Sequence, residues 1–200
     1  MKILRPQRKL EPRAPRKLAR NRLITGSNQL WETDIKYGYI PGEDRFFYVA
    51  SIIDVFDRCI LAVHVGLRCE AKDILRILKA ALKSRGLVNP DGLVLRSDNG
   101  PQFKSKLMAK ECPKLGVTQE FIPFKTPNMN AHIESFHSIF EAECMSQHNF
   151  ETFGDGYWET MNFVRRYNTR RLHSGCQYLP PEEYYRVKRS KTAIVTAIAV

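Results

Sequence analysis

The chain has 200 residues, and its 32 Lys and Arg against 21 Asp and Glu leave a formal net charge of +11. That length supports a single core, as one domain or one domain with tails, without disulfide or metal staples, and the charge favours a polyanionic partner over a site for small acidic molecules. No apolar run approaches a membrane span, Ala193 to Val200 being far too short, and no signal-peptide centre is present, so a cytoplasmic protein without membrane association is expected.

Residues 1 to 22 hold nine basic side chains and one acid, Glu11, so +8 of the net charge sits there and the remainder is nearly balanced. With Pro6, Pro12 and Pro15 and few large apolar residues, this stretch cannot bury enough surface to offset its ordering entropy and reads as a basic arm or linker. The five cysteines, Cys59, Cys69, Cys112, Cys144 and Cys176, are spread without a CxxC pair and are expected as small buried hydrophobes. His132, His137, Cys144 and His148 gather in sequence, but their offsets form no consistent helical ligand face, so no zinc site is expected.

Trp31 to Ile40 reads as a strand, Pro41-Gly42 as a turn, Arg45 to Val55 as a second strand and Arg58 to Leu67 as a third. The short connections imply an antiparallel meander. From Glu70 to Arg85 the period changes: Ile74, Leu75, Ile77, Leu78, Ala81 and Leu82 make one apolar helical stripe, stopped at Gly86. A strand over Gly92 to Ser97, a helix from about Gln102 to Leu115 and a strand over Val117 to Ile122 follow. Helices over Asn130 to Gln147 and Thr152 to Tyr167, a Pro180-Pro181 break and a short segment at Glu182 to Val187 complete the chain. The order describes an α/β domain with a mixed sheet and helices on both faces.

Three carboxylates stand out. Asp34 lies inside a strand, where Asp is depleted, although it could simply bond a nearby turn. Asp98, in RSDNGPQF, lies at the carboxyl end of its strand, the edge where open α/β sheets gather ligands. Glu134 shares a polar helical stripe with Asn130, His137 and Glu141, beside an apolar stripe of Ile133, Phe136, Phe140 and Cys144. An acid there also suits the positive end of the helix dipole. If the first and fourth strands are neighbours, Asp34 and Asp98 lie side by side, and the Glu134 helix could bring in the third acid. Three such carboxylates need a counter-charge, and hard divalent cations with oxygen ligands supply it. Two such ions suit an in-line displacement at phosphorus.

The order Asp34, Asp98, Glu134, with thirty-five residues between the last two, resembles the Asp, Asp, Glu triad of retroviral integrases and bacterial insertion-sequence transposases. Four blocks carry the resemblance: WETDIKYGYI with FFYVASIIDVFDRCIL, RSDNGPQF, PNMNAHIESFHSIFEAE, and YNTRRLHSGCQYLPPEEYY. It implies a ribonuclease-H-like fold with a five-stranded mixed sheet. It also implies Mg²⁺ or Mn²⁺, two ions with DNA bound, held by Asp34, Asp98 and Glu134, and hydrolytic release of a DNA end followed by strand transfer. On this reading Asn99-Gly100 turns the chain beside Asp98 and Pro101 starts the next helix. Asn130 orients the loop before the Glu134 helix, Gln102 lies close to DNA, and Arg165, Arg166, Arg170, Arg171 and His173 either contact phosphates or form a solvated basic helix face. Asp54 and Asp57 fix the hairpin between the second and third strands and stay outside the metal shell.

The resemblance divides the chain into a basic arm (1–27), an integrase-like catalytic core (28–150), a C-terminal helical extension (151–187) and a tail (188–200). It implies DNA as partner, a homo-multimer on paired ends, and an upstream helix-turn-helix module as partner or fusion frame. At the position where the family has Lys or Arg, seven residues after the catalytic Glu, this chain has Glu141, an acid that repels phosphate. Two other functions fit the same residues: an inactive fragment that binds DNA or full-length transposase and regulates it, or a structure-selective nuclease of the same fold.

Overall fold

A computed structural model describes residues 18–123, 127–190 and 198–199. Its elements in chain order are β1 (Leu23–Ile24), β2 (Leu30–Ile40), β3 (Arg45–Asp54), β4 (Ile60–Gly66), α1 (Ala71–Ser84), β5 (Val94–Ser97), α2 (Lys106–Lys114), β6 (Thr118–Phe121), α3 (Ala131–Glu143), α4 (Phe153–Thr169), α5 (Pro181–Ser190) and β7 (Ile198–Ala199). Five strands form one sheet in the order β4-β3-β2-β5-β6. The meander β2-β3-β4 is antiparallel, whereas β5 and β6 add in parallel on the other side of β2. The expected mixed sheet is therefore present, with β2 at its centre.

Strand alternation sends β2 side chains to two different cores. Trp31 packs with Ala50, Ile52 and Leu95 under the apolar stripes of α1 and α2, and Ile40 packs on the opposite face with Phe136 and Phe140 of α3 and Phe163 and Tyr167 of α4. Covering both faces with helices removes the apolar sheet surface from water, which is the main stabilising term. Helix α1 ends as its sequence dictates: Gly86 takes φ 64°, its N–H bonds the Lys83 carbonyl, and the Leu87 N–H reaches back to Leu82. This pairing satisfies carbonyls that would otherwise be orphaned at the helix end.

Buried carboxylates hold the β3–β4 turn. Asp54 accepts from the Phe56 N–H (2.8 Å), the Trp31 indole (3.0 Å) and the Asn28 N–H (2.6 Å). Asp57 accepts from the Cys59 N–H (3.0 Å), the Ser27 hydroxyl (2.6 Å) and the Arg85 guanidinium (2.8 and 2.9 Å). These bonds secure Arg58 in the left-handed region (φ 63°), where a residue with a Cβ is uncommon. They also tie the turn to the residues that lead into β2.

Three features differ from the sequence reading. Pro101 does not start α2: residues 101–104 are turns, and the helix begins at Lys106, where the Ser105 hydroxyl accepts from the Met108 N–H at 3.2 Å. A serine cap outweighs a proline start here, because Phe103 must first turn inward to fill the core. Of the expected arm, residues 1–17 lie outside the described residues, but 18–27 are docked. Leu18 bridges in parallel to Phe121, the Ala19 N–H bonds the Phe121 carbonyl at 2.9 Å, and Arg22 pairs with Glu120. Basic residues order here because a buried carboxylate awaits them. The third difference is β1, which pairs antiparallel with β7; both strands are too short for alternation to reveal.

Candidate active site

The adjacency on which the sequence argument depended is present. β2 and β5 are parallel neighbours with Thr33 opposite Ser97, so Asp34 and Asp98 each follow the last registered pair. Asp98 leaves the strand into a tight turn, and its Oδ1 accepts the Gly100 N–H at 2.9 Å. Gln102 lies on the same loop, its amide donating weakly to the Cys69 carbonyl at 3.4 Å.

Helix α3 supplies Glu134 in its first turn. Its apolar stripe of Ile133, Phe136 and Phe140 is buried as expected, with Cys144 just beyond the helix. His137, assigned from sequence to the polar stripe, is buried instead and directs Nδ1 to Asp34 at 3.5 Å. Asn130 holds the cap position of α3, but its side chain makes no capping bond and its buried Oδ1 has no partner. The cap comes from β2: Glu32 Oε2 accepts the N–H groups of His132 (3.0 Å) and Ile133 (2.9 Å), and Oε1 meets His132 Nδ1 at 3.1 Å.

Sequence reasoning overlooked Glu32, although a signal was available. Glu is also depleted in strands, and WETDIK places Glu32, Asp34 and Lys36 on one face of β2 at the period of two. Lys36 resolves the anomaly of Glu141: its ammonium pairs with the Glu141 carboxylate at 2.8 Å. The acid on α3 is therefore neutralised by a cation from the strand that carries Asp34.

The electrostatics reflect this crowding. Burial and the neighbouring Asp34 charge raise the pKa of Asp98, with the Gly100 bond and Lys104 opposing. The Glu134 carboxyl is raised by desolvation, then by Asp34 and Glu32, with His137 opposing. Burial pushes Glu32 up to about 7 despite its bonds to the helix and the attraction of Arg96. Among the described residues no three His, Cys, Asp or Glu side chains converge closely enough to hold a metal ion. Even so, Asp34 acts on both Asp98 and Glu134, and their all-carboxylate donor set is the kind hard divalent cations take. The chemistry of these donors fits such an ion.

The C-terminal signature divides into structural and exposed parts. Asn168 clamps the start of β4, accepting the Ile60 N–H at 2.9 Å and donating to the Ile60 carbonyl at 2.8 Å. Tyr167 is buried against Phe136. Arg165, Arg166 and Arg170 are exposed at the end of α4, while Arg171 binds the Glu143 carboxylate at 2.8 and 3.0 Å. His173 packs edge-on to Tyr167 at 4.8 Å. Burial, reinforced by Arg171 and Arg58, pushes it down to about 4, so at neutral pH it carries no charge for a phosphate. All five cysteines are buried; His148 bonds the Cys144 carbonyl at 2.8 Å and faces Glu159. Among the described residues no helix is long and apolar enough to cross a membrane.

Comparison with known proteins agrees with this arrangement. One integrase core domain model matches residues 25–127 and a second matches residues 115–181. The chain is 29% identical over 162 residues to the transposase for insertion sequence element IS904 of Lactococcus lactis, covering 80% of this chain and 62% of that protein. It spans about half to three fifths of the length of the curated relatives it matches. Among solved structures, the simian T-cell lymphotropic virus intasome in complex with PP2A regulatory subunit B56 gamma superposes with a TM-score of 0.71 at 15% identity, covering 94% of this chain and 64% of that one. The HTLV-2 integrase catalytic core domain in complex with magnesium superposes at 0.60 and 12% identity, covering 80% and 97%. Sheet order, helix placement and the matched residues together make this chain a member of the integrase core domain family.

Proposed function

We propose that this domain performs DNA transposition by metal-dependent phosphodiester cleavage and strand transfer, as a DDE-type polynucleotidyl transferase. The observation that carries the reading is the parallel pairing of β2 with β5, which sets Asp34 beside Asp98, with α3 packed to bring Glu134 into the field of Asp34. The transposase name of the Lactococcus lactis relative and the magnesium in the HTLV-2 core support the same chemistry.

Asp34, Asp98 and Glu134 would hold Mg²⁺ or Mn²⁺, two ions when DNA is bound. The bound ions would supply Lewis-acid stabilisation of the attacking and leaving oxygens in an in-line displacement. The protein's own residues provide position and charge. Asp98 is steadied by the Gly100 N–H, leaving its second oxygen available as a ligand. Asp34 is backed by His137, and Gln102 and Asn130 border the loops on either side. On DNA, Arg165, Arg166 and Arg170 offer cations for phosphates. Arg171 must first leave Glu143, and His173 contributes shape rather than charge. The reading includes assembly as a homo-multimer on paired ends and an upstream helix-turn-helix recognition module, in keeping with the greater length of the relatives.

Lys36 adds a cation on the face of β2 that carries Asp34. Removing its partner by Glu141→Gln should strengthen binding to a generic duplex by up to about fivefold, because a half-exposed pair is worth roughly 0.2–1 kcal/mol. Lys36→Ala should weaken binding and flatten its salt dependence. Fluorescence anisotropy across a salt series measures both effects. No change in either variant would take Lys36 out of the DNA path.

The proposed function is tested by incubating the full chain with an end-labelled generic duplex and Mn²⁺ and resolving the products on a denaturing gel. Strand transfer yields labelled strands longer than the substrate. Shortened strands alone would mean a hydrolytic nuclease, and an unaltered, metal-independent pattern would overturn the reading in favour of a binding fragment.

A further inference from the structure

Beneath the candidate site lies a row of buried charges. Glu32 on β2 stands opposite Arg96 on β5, which stands opposite Glu120 on β6. Their exposures are 1%, 0% and 1%. Arg96 Nη2 lies 3.6 Å from the Glu120 carboxylate, and Arg22 closes the row from the docked N-terminal segment. Taking such charges out of water costs several kcal/mol per ion unless each is paired and hydrogen-bonded. A core designed only for stability would use apolar residues here.

The position of the row suggests what it does. Glu32 precedes Asp34 by two residues and Arg96 precedes Asp98 by two, so each shares its acid's sheet face one pleat below. Both also hold the entry to α3, from opposite chemical sides. Glu32 accepts the N–H groups of His132 and Ile133, and Arg96 Nη1 donates to the carbonyl of Met129 at 3.0 Å, immediately before the helix. The residue at the cap position does not do this work, because Asn130 leaves its side chain out of the cap. Glu134 follows Ile133 directly.

We infer that Glu32, supported by Arg96, is a positioning residue that clamps the start of α3 to the strand pair bearing Asp34 and Asp98, and so fixes where the first turn of α3 presents Glu134. This rests on the proposed function for its consequence, but the clamp itself is testable without it. Glu32→Gln retains a carbonyl oxygen for both amides, whereas Glu32→Met keeps the volume and removes the acceptor.

Amide exchange on the metal-free full chain reads the clamp directly. In Glu32→Met, protection at His132 and Ile133 should fall about 5- to 150-fold, as expected for losing hydrogen bonds worth about 1–3 kcal/mol. Amides in β3 and α4 should be unchanged, and Glu32→Gln should stay close to wild type. Unchanged protection in Glu32→Met would overturn the inference.

Mn²⁺ calorimetry and the Mn²⁺ dependence of duplex nicking read the consequence. Glu32→Met should raise the half-saturating Mn²⁺ concentration about 10- to 100-fold, the usual cost of losing a group that orients a ligand. The KM for DNA should not move, and Glu32→Gln should restore the metal midpoint. Glu120→Gln, at the far end of the row, should lower stability without moving that midpoint. A fall in kcat with an unmoved Mn²⁺ midpoint, or an equal shift in Glu120→Gln, would make the row merely structural. If the wild-type chain binds no Mn²⁺, the proposed function fails, and the exchange data alone decide whether Glu32 holds α3.

Discussion

Asp98→Asn should abolish Mn²⁺-dependent nicking and joining while leaving the chain folded. Loss of a single preorganised electrostatic group costs roughly 10²- to 10³-fold in rate, and a shared metal ligand should cost at least that much. The substitution is nearly isosteric, and Asn retains an oxygen for the Gly100 N–H, so the turn after β5 survives. Stability should stay level or rise. Asp98 has a folded pKa above its ordinary value, so its contribution is fully present below the unfolded pKa and is lost as pH rises through the folded one. At neutral pH the charged group is therefore a small liability that Asn removes. Gel assays with thermal unfolding of the same preparation check both halves. A variant that keeps wild-type joining would remove Asp98 from the site.

The second large effect concerns stability. Arg85→Ala should destabilise the domain by about 3–5 kcal/mol, the cost of breaking a buried ion pair from one side. The Arg85 and Asp57 side chains are 4% and 0% exposed, and the guanidinium stacks on the Tyr185 ring of α5 at 3.6 Å. Its removal strands Asp57 beside Asp54. Burial and the Asp57 charge already push Asp54 up to about 7, with Arg85 opposing. In the variant the Asp54 carboxyl should be raised further, so the loss should be greater at pH 8 than at pH 5, where protonation relieves the buried charge. Urea unfolding followed by circular dichroism at the two pH values measures this. Arg85→Lys should fall between, because an ammonium reproduces the charge but not the stacked, forked geometry. An equal, small loss at both pH values would show that the turn is held by its backbone bonds alone. The effect links to the site, since Asp54 and Asp57 also bind the residues entering β2.

The order and type of the main elements were legible because their signals are carried by contiguous residues. Aromatic and β-branched runs bounded by turn residues marked β2, β3 and β4, the apolar stripe and Gly86 marked α1, and the turn at Asn99-Gly100 marked the end of β5. Asp34 stood out as an acid inside a strand and Asp98 as one at a strand's carboxyl end, whereas Glu134 was singled out by the spacing of the triad that the chain resembles. Where a signal was short or two signals competed, local reading failed. Strands β1 and β7 have two residues each, too few for a period. Pro101 advertised a helix start, but with Phe103 buried the helix begins after Ser105 instead.

Only the tertiary structure decided which residues serve the acids. The sheet order β4-β3-β2-β5-β6 turned a conditional neighbour into a real one, because parallel pairing joins strands far apart in sequence with no local mark of the partner. Lys36 meets Glu141, Arg96 meets Met129, and Glu32 caps a helix that begins about a hundred residues later. Lys36 and Arg96 alone read as ordinary surface charges. Burial changes that reading: once the sheet and α3 exclude water, a charge persists only where a partner is held for it, and the fold alone determines where that partner stands.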